Sequence, residues 1–211
     1  MFERIIDLSL PFRDGDAGVS IQPHATFAEK GYKTSDLALY SHAGTHLDAP
    51  EHWMEGGRTV DALDLQKCIG PATVIDLTHK PPDSQIMVDD LAMHAAQIVL
   101  GARLLLRTDW DLHADRDDYR TRFPRLSLSV AEWLAGRGVW LIGLETPSVA
   151  SLTNRVELRD VHRALLSREV VIVESLANLR AITRRQVHFI ALPLRLVGCD
   201  GSPVRAVAIE R

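Results

Sequence analysis

Three histidines and an aspartate with metal-binding side chains fall at even positions of one short segment: His42, His46, Asp48 and His52. A helix is disfavoured in this segment, because Gly44 weakens it and the ring of Pro50 would clash with the carbonyl four residues earlier. In an extended segment, side chains two residues apart point to the same face. We therefore expect these four side chains on one side of a strand, where they form a donor set for a divalent metal.

The donor types narrow the choice of ion. Imidazole and carboxylate together favour zinc, manganese, iron or cobalt over calcium or magnesium. Asp48 carries two oxygens and is able to bridge two ions. The hydroxyl of Thr45 is a candidate for a hydrogen bond that orients one of the metal ligands. A lone histidine on an apolar face is usually structural, but four such residues in register are harder to explain that way. We expect one or two divalent ions, zinc before manganese.

Residues 42–52 read HAGTHLDAPEH, which resembles the HxGTHxDxPxH signature of the metal-dependent cyclase-like hydrolases. Bacterial kynurenine formamidases and isatin hydrolases belong to that family. Shorter matches follow in the family's order at 106–108, 143–149 and 200–205, so the resemblance spans nearly the whole chain. It implies an α/β fold, the mixed-sheet swivelling β/β/α domain, in a homodimer or larger homo-oligomer.

The resemblance also implies roles for single residues. Five positions match metal ligands of the family: His42, His46, Asp48, His162 and Glu174. Asp48 and Glu174 match carboxylates shared by two ions, and His52 matches the general acid/base. Helical periodicity alone favours a surface position for His162. Glu174 closes the apolar run 170–173, where a buried carboxylate is costly unless it is paired or bound to metal.

Such a centre suits hydrolysis of an amide. A bound ion lowers the pKa of water to about 7, and an imidazole with a pKa of about 6.5 is able to pass a proton to the leaving nitrogen. The resemblance implies an arylformamidase that converts N-formylkynurenine to kynurenine and formate in tryptophan catabolism. We expect an enzyme acting on a small-molecule amide through His52.

Two departures from the formamidase pattern keep other functions open. Kynurenine formamidases usually carry Trp-Pro-Gly-Asp after the first strand, and its tryptophan contacts substrate; this chain has PFRDGD at 11–16 instead. Glu145 stands where aspartate is common before Thr-Pro-Ser. A hydrolase of a lactam or another cyclic amide, as in isatin hydrolases, is the first alternative. A non-catalytic metal- or ligand-binding module is the second, and the presence of His52 argues against it.

Aromatic side chains are candidates for a pocket around a flat substrate: Phe12, Phe27, Trp53 and Trp110. Core packing is the more frequent role for any single one of them.

Strands alternate with helices along the chain, which predicts an α/β layer fold with a mixed sheet. The predicted strands are Arg4–Leu10, Asp36–Ser41, Ala72–Thr78, Arg103–Thr108, Val139–Glu145, Val170–Glu174, His188–Leu194 and Val204–Ile209. The predicted helices are Val88–Gln97, one from Ser129 to Gly136 or Gly138, and Glu157–Leu166. Asp200-Gly201 predicts a hairpin turn. No linker interrupts the pattern, so we expect one domain over residues 1–211.

Composition excludes several classes of protein. The 211 residues carry a net charge of −4 and no basic cluster, so neither nucleic acid nor a membrane surface is an expected partner. The two cysteines, Cys68 and Cys199, are far apart and indicate a reducing compartment. The first residues lack the pattern of a signal peptide. We expect a cytoplasmic protein.

Overall fold

The computed structural model describes residues 4–210, and the elements below belong to this range. The strands are β1 (Arg4–Asp7), β2 (Val19–Ala25), β3 (Thr34–Leu39), β4 (His46–Asp48), β5 (Ile69–Asp76), β6 (Gln85–Ile86), β7 (Arg103–Arg107), β8 (Arg125–Leu126), β9 (Leu141–Leu144), β10 (Val171–Glu174), β11 (Gln186–Ile190), β12 (Gly201–Pro203) and β13 (Val207–Glu210). The α-helices are α1 (Phe27–Lys30), α2 (Val88–Leu91), α3 (Leu128–Gly136) and α4 (Arg155–Leu166).

One nine-stranded sheet organises the molecule, in the order β1-β13-β11-β5-β7-β9-β10-β4-β12. Its four central strands, β5, β7, β9 and β10, run parallel, and the strands on both flanks pair antiparallel. The sheet curls into a half-barrel. The predicted α/β fold with a mixed sheet is therefore confirmed. Strands β2 and β3 form a separate hairpin, and β6 pairs only with β8.

Apolar side chains cover both faces of the central strands, because side chains alternate along a strand. Leu104 and Leu106 of β7 face the helices, whereas Leu105 between them packs in a second apolar cluster on the opposite face. Helices α3 and α4 cover the face that carries Leu104 and Leu106, and they contact it through residues such as Leu134 and Val161. This double burial explains why the central strands read as continuous apolar runs in the sequence.

The helices begin at polar caps. Ser127 accepts a hydrogen bond from the backbone N–H of Val130, and Asn154 accepts from Val156 and Glu157 at the start of α4. The helix predicted from Ser129 thus begins one residue earlier, at Leu128. The predicted helix Val88–Gln97 was too long, since α2 ends at Leu91 and a 3-10 turn, Ala92–His94, follows it. None of the helices in the described range has the length and apolar composition to cross a bilayer.

The backbone near the candidate site differs from the predicted backbone in two places. Residues 42–52 do not form one extended strand: only His46–Asp48 does, and Pro50–His52 is a 3-10 turn that begins at the proline. Asp200-Gly201 is not a hairpin turn between β11 and β13. Gly201 instead begins the edge strand β12, which pairs with β4. Strand β2, the first strand of the β2–β3 hairpin, was not predicted.

Candidate metal centre

Strand register places two carboxylates and a histidine together. Strand β4 runs antiparallel to β10, so that His46 lies opposite Glu174 and Asp48 lies opposite Ile172. His46 and Asp48 are two residues apart and share a face, which is the face that Ile172 turns toward the helices. Glu174 is the last residue of β10. The site therefore lies at the carboxyl edge of the parallel strands, where ligands bind in open α/β sheets.

Helix α4 supplies a second imidazole from above the sheet. His162 follows the apolar residue Val161 on the helix and is 2% exposed, so it does not take the surface position that helical periodicity alone would favour. Its Nε2 lies 3.4 Å from Glu174 Oε1 and 3.7 Å from Asp48 Oδ2. On the other side, His46 Nε2 lies 3.4 Å from Glu174 Oε2 and 3.5 Å from Asp48 Oδ1. Two imidazoles thus face two carboxylates across a buried space.

His42 and His52 reach the site from the loops that flank β4. His42 Nδ1 lies 2.8 Å from Asp48 Oδ1, and the rings of His42 and His52 lie 4.0 Å apart between centroids. Gly201 makes room for His42: a Cβ at that position would lie 2.7 Å from the ring carbon Cε1. The predicted residues therefore come together, although His42 and His52 are not part of the strand.

The outer ring nitrogens fix how the imidazoles are turned. His46 Nδ1–H donates to the carbonyl of Gly44, and His162 Nδ1–H donates to the carbonyl of Leu158, at 2.8 and 2.7 Å. His42 Nε2–H donates to Asp200 Oδ2 at 2.8 Å. The inner nitrogen of each ring therefore faces Asp48 or Glu174, where it carries a second proton in the metal-free protein or offers a lone pair to a cation. Ligand histidines of metal sites are held in this way.

The donor set fits a divalent cation. His46 Nε2 and Asp48 Oδ2 are buried and have no hydrogen-bond partner within the described part of the chain. Such atoms are costly to bury without a partner. The ligand atoms of His42, His46 and Asp48 also lie within 4.8 Å of one another. A cation between these atoms would satisfy both the lone pairs and the negative charge.

The pKa values show the same need for positive charge. Burial lowers the pKa of His42, but the hydrogen bonds and charges of Asp48 and Asp200 outweigh it and raise that pKa to about 9. Burial also lowers the pKa of His46 and of His162, but the hydrogen bonds and charges of the nearby carboxylates outweigh it and raise both pKa values. Burial lowers the pKa of His52, where like charges on other imidazoles add to the effect. His52 is therefore the imidazole that stays neutral and free to accept a proton.

A cavity of about 690 Å³ opens beside this cluster. Phe12 and Trp53 line it, as predicted for a pocket around a flat substrate. Trp110 does not line it: its ring stacks on His113 and its N–H donates to the carbonyl of Tyr119, so it is a core residue. Phe27, in the connection between β2 and β3, is 70% exposed and does not line the cavity either.

Thr45 and Glu145 stabilise the backbone around the site. The Thr45 hydroxyl donates to the carbonyl of Ser175 and accepts from the N–H of Leu10, so it orients backbone rather than a ligand side chain. Glu145 is fully buried and accepts from three backbone N–H groups, at Thr108, Asp109 and Leu179. Its carboxylate joins loops beside the sheet and does not contact the histidines.

Asp200 is the site residue that sequence reasoning missed. Its carboxylate contacts both His42 and His52. The Asp-Gly pair suggested only a turn, because the pairing of β12 with β4 joins residues about 150 positions apart in the chain. The available signal was the match at 200–205 to the family pattern.

We expect the metal-free protein to lose stability as the pH rises from 6.5 to 9. The pKa of His42 is raised on folding, so its stabilising proton is fully bound below about 6.5 and is lost as the pH passes about 9. A bound divalent ion would replace that positive charge. Calorimetry should therefore show a falling Tm for chelator-treated protein and a nearly constant Tm for zinc-loaded protein. Equal slopes for the two forms would contradict a cation site.

Known proteins resemble this chain over nearly its full length. A family model described as "Putative cyclase" matches residues 6–151. The kynurenine formamidase of Bacillus cereus (strain ATCC 14579) is 32% identical over 209 residues, which cover 96% of this chain and 95% of that protein. Two solved structures share the fold. A potential metal-dependent hydrolase with cyclase activity has a TM-score of 0.82 and 26% identity, with 99% of this chain and 98% of that one covered.

The second structure is an isatin hydrolase bound to the product analogue thioisatinate. It has a TM-score of 0.84 and 25% identity, and the match covers 98% of this chain and 92% of that one. Together with the family match and the arrangement of imidazoles and carboxylates at the sheet edge, these similarities show that the chain belongs to the cyclase family.

Proposed function

We propose that this protein is a metal-dependent arylformamidase, which hydrolyses N-formylkynurenine to kynurenine and formate. The observation that carries the proposal is the orientation of His42, His46 and His162, whose inner nitrogens all face Asp48 or Glu174. This arrangement supports a metal hydrolase acting on a C–N bond. The similarity to a kynurenine formamidase over 95% of that protein favours an aryl formamide as the substrate.

The proposed metal ligands are His42, His46, Asp48, His162 and Glu174. Nitrogen and carboxylate donors without a thiolate suit zinc first and manganese second. Asp48 faces His42 and His46 through one oxygen and His162 through the other, which supports a bridging role between two ions. When bound, such an ion makes a water molecule acidic near neutral pH and polarises the substrate carbonyl.

His52 supplies the proton transfer. The reaction adds water to the formyl carbon and breaks the C–N bond, and the arylamine leaves readily only when its nitrogen is protonated. His52 lines the cavity, and its Nδ1 lies 3.3 Å from Asp200, which leaves Nε2 for the substrate. Its lowered pKa keeps the ring neutral and able to accept a proton from water at pH 7. The same proton then passes to the leaving nitrogen.

Replacing His52 with alanine should lower kcat by about 10²- to 10⁴-fold, the usual contribution of a general acid/base. Bound metal should stay at the wild-type level, because His52 is not among the proposed ligands. Steady-state kinetics and metal analysis of the same preparation measure both effects. Loss of metal together with activity would instead assign His52 to the metal.

The cavity wall also gives weight to the lactam alternative. Phe12 occupies the N-terminal loop of the cavity, where the formamidase pattern would have a tryptophan. Its ring packs directly against Gly44, at the space that a Cβ would fill. A smaller aromatic ring changes the fit of a substrate's aryl group, and an isatin hydrolase shares this fold at a TM-score of 0.84. A cyclic aryl amide is therefore the second candidate substrate.

Turnover of the two candidates separates the proposals. Protein reconstituted with zinc, and separately with manganese, should show a higher kcat/KM for N-formylkynurenine than for isatin, since a formamidase matches the chain over 96% of its length. Chelator-treated protein is the control and should be inactive. Preference for isatin would establish the lactam alternative. Hydrolysis of neither would leave the non-catalytic binding module or a different amide substrate.

We further propose that residues 1–211 form one catalytic domain that works in the cytoplasm as a homodimer. Neither Cys68 nor Cys199 is in a disulfide, which suits a reducing compartment. The β2–β3 hairpin leaves Phe27, Tyr32 and Leu37 more than half exposed, an unusual cost for a monomer. Light scattering at micromolar concentration should give twice the chain mass. A monomer at that concentration would refute the assembly without affecting the proposed reaction.

A further inference from the structure

Asp200 joins the outer edge of the candidate metal centre to the proton carrier. Its Oδ2 lies 2.8 Å from His42 Nε2 and 3.3 Å from His52 Nδ1. The two rings are tilted by 37° and lie 4.0 Å apart between centroids. One carboxylate oxygen therefore contacts two imidazoles that have different proposed roles, one in metal binding and the other in proton transfer.

The backbone around Asp200 fixes this oxygen in place. The carbonyl of Asp200 accepts a hydrogen bond from the N–H of Ala49, directly after β4. The next residue, Gly201, lies opposite Asp48 in the β4–β12 register. On the other side, the carbonyl of Cys199 accepts from the N–H of Val60. The position of the carboxylate thus follows from the same strand that carries Asp48.

We propose that Asp200 is a positioning residue that sets the orientation of both His42 and His52. It accepts the Nε2–H of His42, which turns Nδ1 of that ring toward Asp48 as a metal donor. It accepts the Nδ1–H of His52, which leaves Nε2 of that ring facing the substrate. The role assigned toward His52 rests on the proposed hydrolytic function, whereas the role toward His42 requires only that the chain bind a metal.

Asp200 differs from the groups that hold the other two ligand histidines. The outer nitrogens of His46 and His162 donate to neutral backbone carbonyls. His42 donates to a carboxylate, which makes an imidazole a stronger donor to a metal and resists rotation of the ring. Loss of such an outer partner typically weakens metal affinity by about 10- to 100-fold.

Ligand atoms of Asp200, His42 and His52 also lie within 4.8 Å of one another, but exposure and the ring nitrogen that Asp200 contacts favour a supporting role over metal ligation. Its side chain is 40% exposed, whereas the side chains of Asp48 and Glu174 are 1% and 6% exposed. Its nearest ring nitrogen is the outer nitrogen of His42, since the inner one faces Asp48. The geometry is that of a hydrogen-bonded carboxylate beside the cluster.

The test compares Asp200→Asn with Asp61→Asn. Asp61 is the matched control, because its carboxylate accepts from the N–H of Gly198 and so stabilises the same loop without touching a histidine. Zinc and manganese affinities are measured by competition with a fluorescent chelator, which needs no substrate. Asp200→Asn should weaken both affinities by about 10- to 100-fold, and Asp61→Asn should leave them unchanged. Asp200→Ser provides a second variant if the asparagine protein is poorly folded.

A kinetic measurement tests the second contact. With saturating metal and N-formylkynurenine, Asp200→Asn should lower kcat and leave KM near the wild-type value, as expected when an interaction acts on the transition state. In a His52→Gln background the same substitution should have a much smaller effect on kcat, because residues that act as a unit are not additive.

Each outcome decides the proposal. Weaker metal binding confined to the Asp200 variants supports it, and equal weakening in Asp61→Asn overturns it, since the loop alone would then matter. Loss of one bound ion per chain in Asp200→Asn at saturating metal would make Asp200 a ligand and also overturn it. Unchanged metal affinity overturns the role toward His42. If N-formylkynurenine is not a substrate, the metal measurements still decide, so the two failures are distinguishable.

Discussion

The burial of two carboxylates at one sheet edge is the constraint on which this structure depends. Asp48 and Glu174 are held together by the pairing of β4 with β10 and are almost completely shielded from water. Two negative charges in such a place cost several kcal/mol each unless positive charge accompanies them. The three surrounding imidazoles supply that charge when they are protonated, and a divalent cation supplies it when they are not. The edge of the sheet is therefore built to hold either protons or metal, and the family to which the chain belongs is consistent with the second.

Sequence reasoning predicted the identity of the clustered residues better than the shape of the backbone that carries them. The alternation of residues 42–52 suggested one strand, but Pro50 begins a 3-10 turn and only three residues pair with β10. His42 and His52 nevertheless come close to each other, because the bends on both sides of β4 return them to the same face. Spacing along the chain therefore identified which side chains of this segment come together, while the bends depend on local proline chemistry and on pairing with distant strands.

Burial and long-range pairing explain what could not be predicted. Trp53 and Trp110 have the same chemistry, yet one lines the cavity and the other stacks in a small aromatic core. Periodicity assigns an aromatic residue to an inward face, but it cannot tell a core from a cavity within that face. Asp200 is a similar case, since its role arises only when β12 pairs with β4. Contacts between residues that are far apart in sequence decide both.

Different parts of the fold carry the proposed metal ligands and the aromatic wall of the cavity. Four of the five proposed ligands lie on paired strands or on α4, where backbone register and packing fix their positions, and His42 lies in the loop just before β4. Phe12 comes instead from an N-terminal loop on the cavity wall, and loops tolerate change far better than paired strands do. A change in that loop alters the shape of the cavity without disturbing Asp48 or Glu174. This separation gives a physical reason why chains of one fold are able to differ in substrate through a loop while they keep the same cluster of histidines and carboxylates.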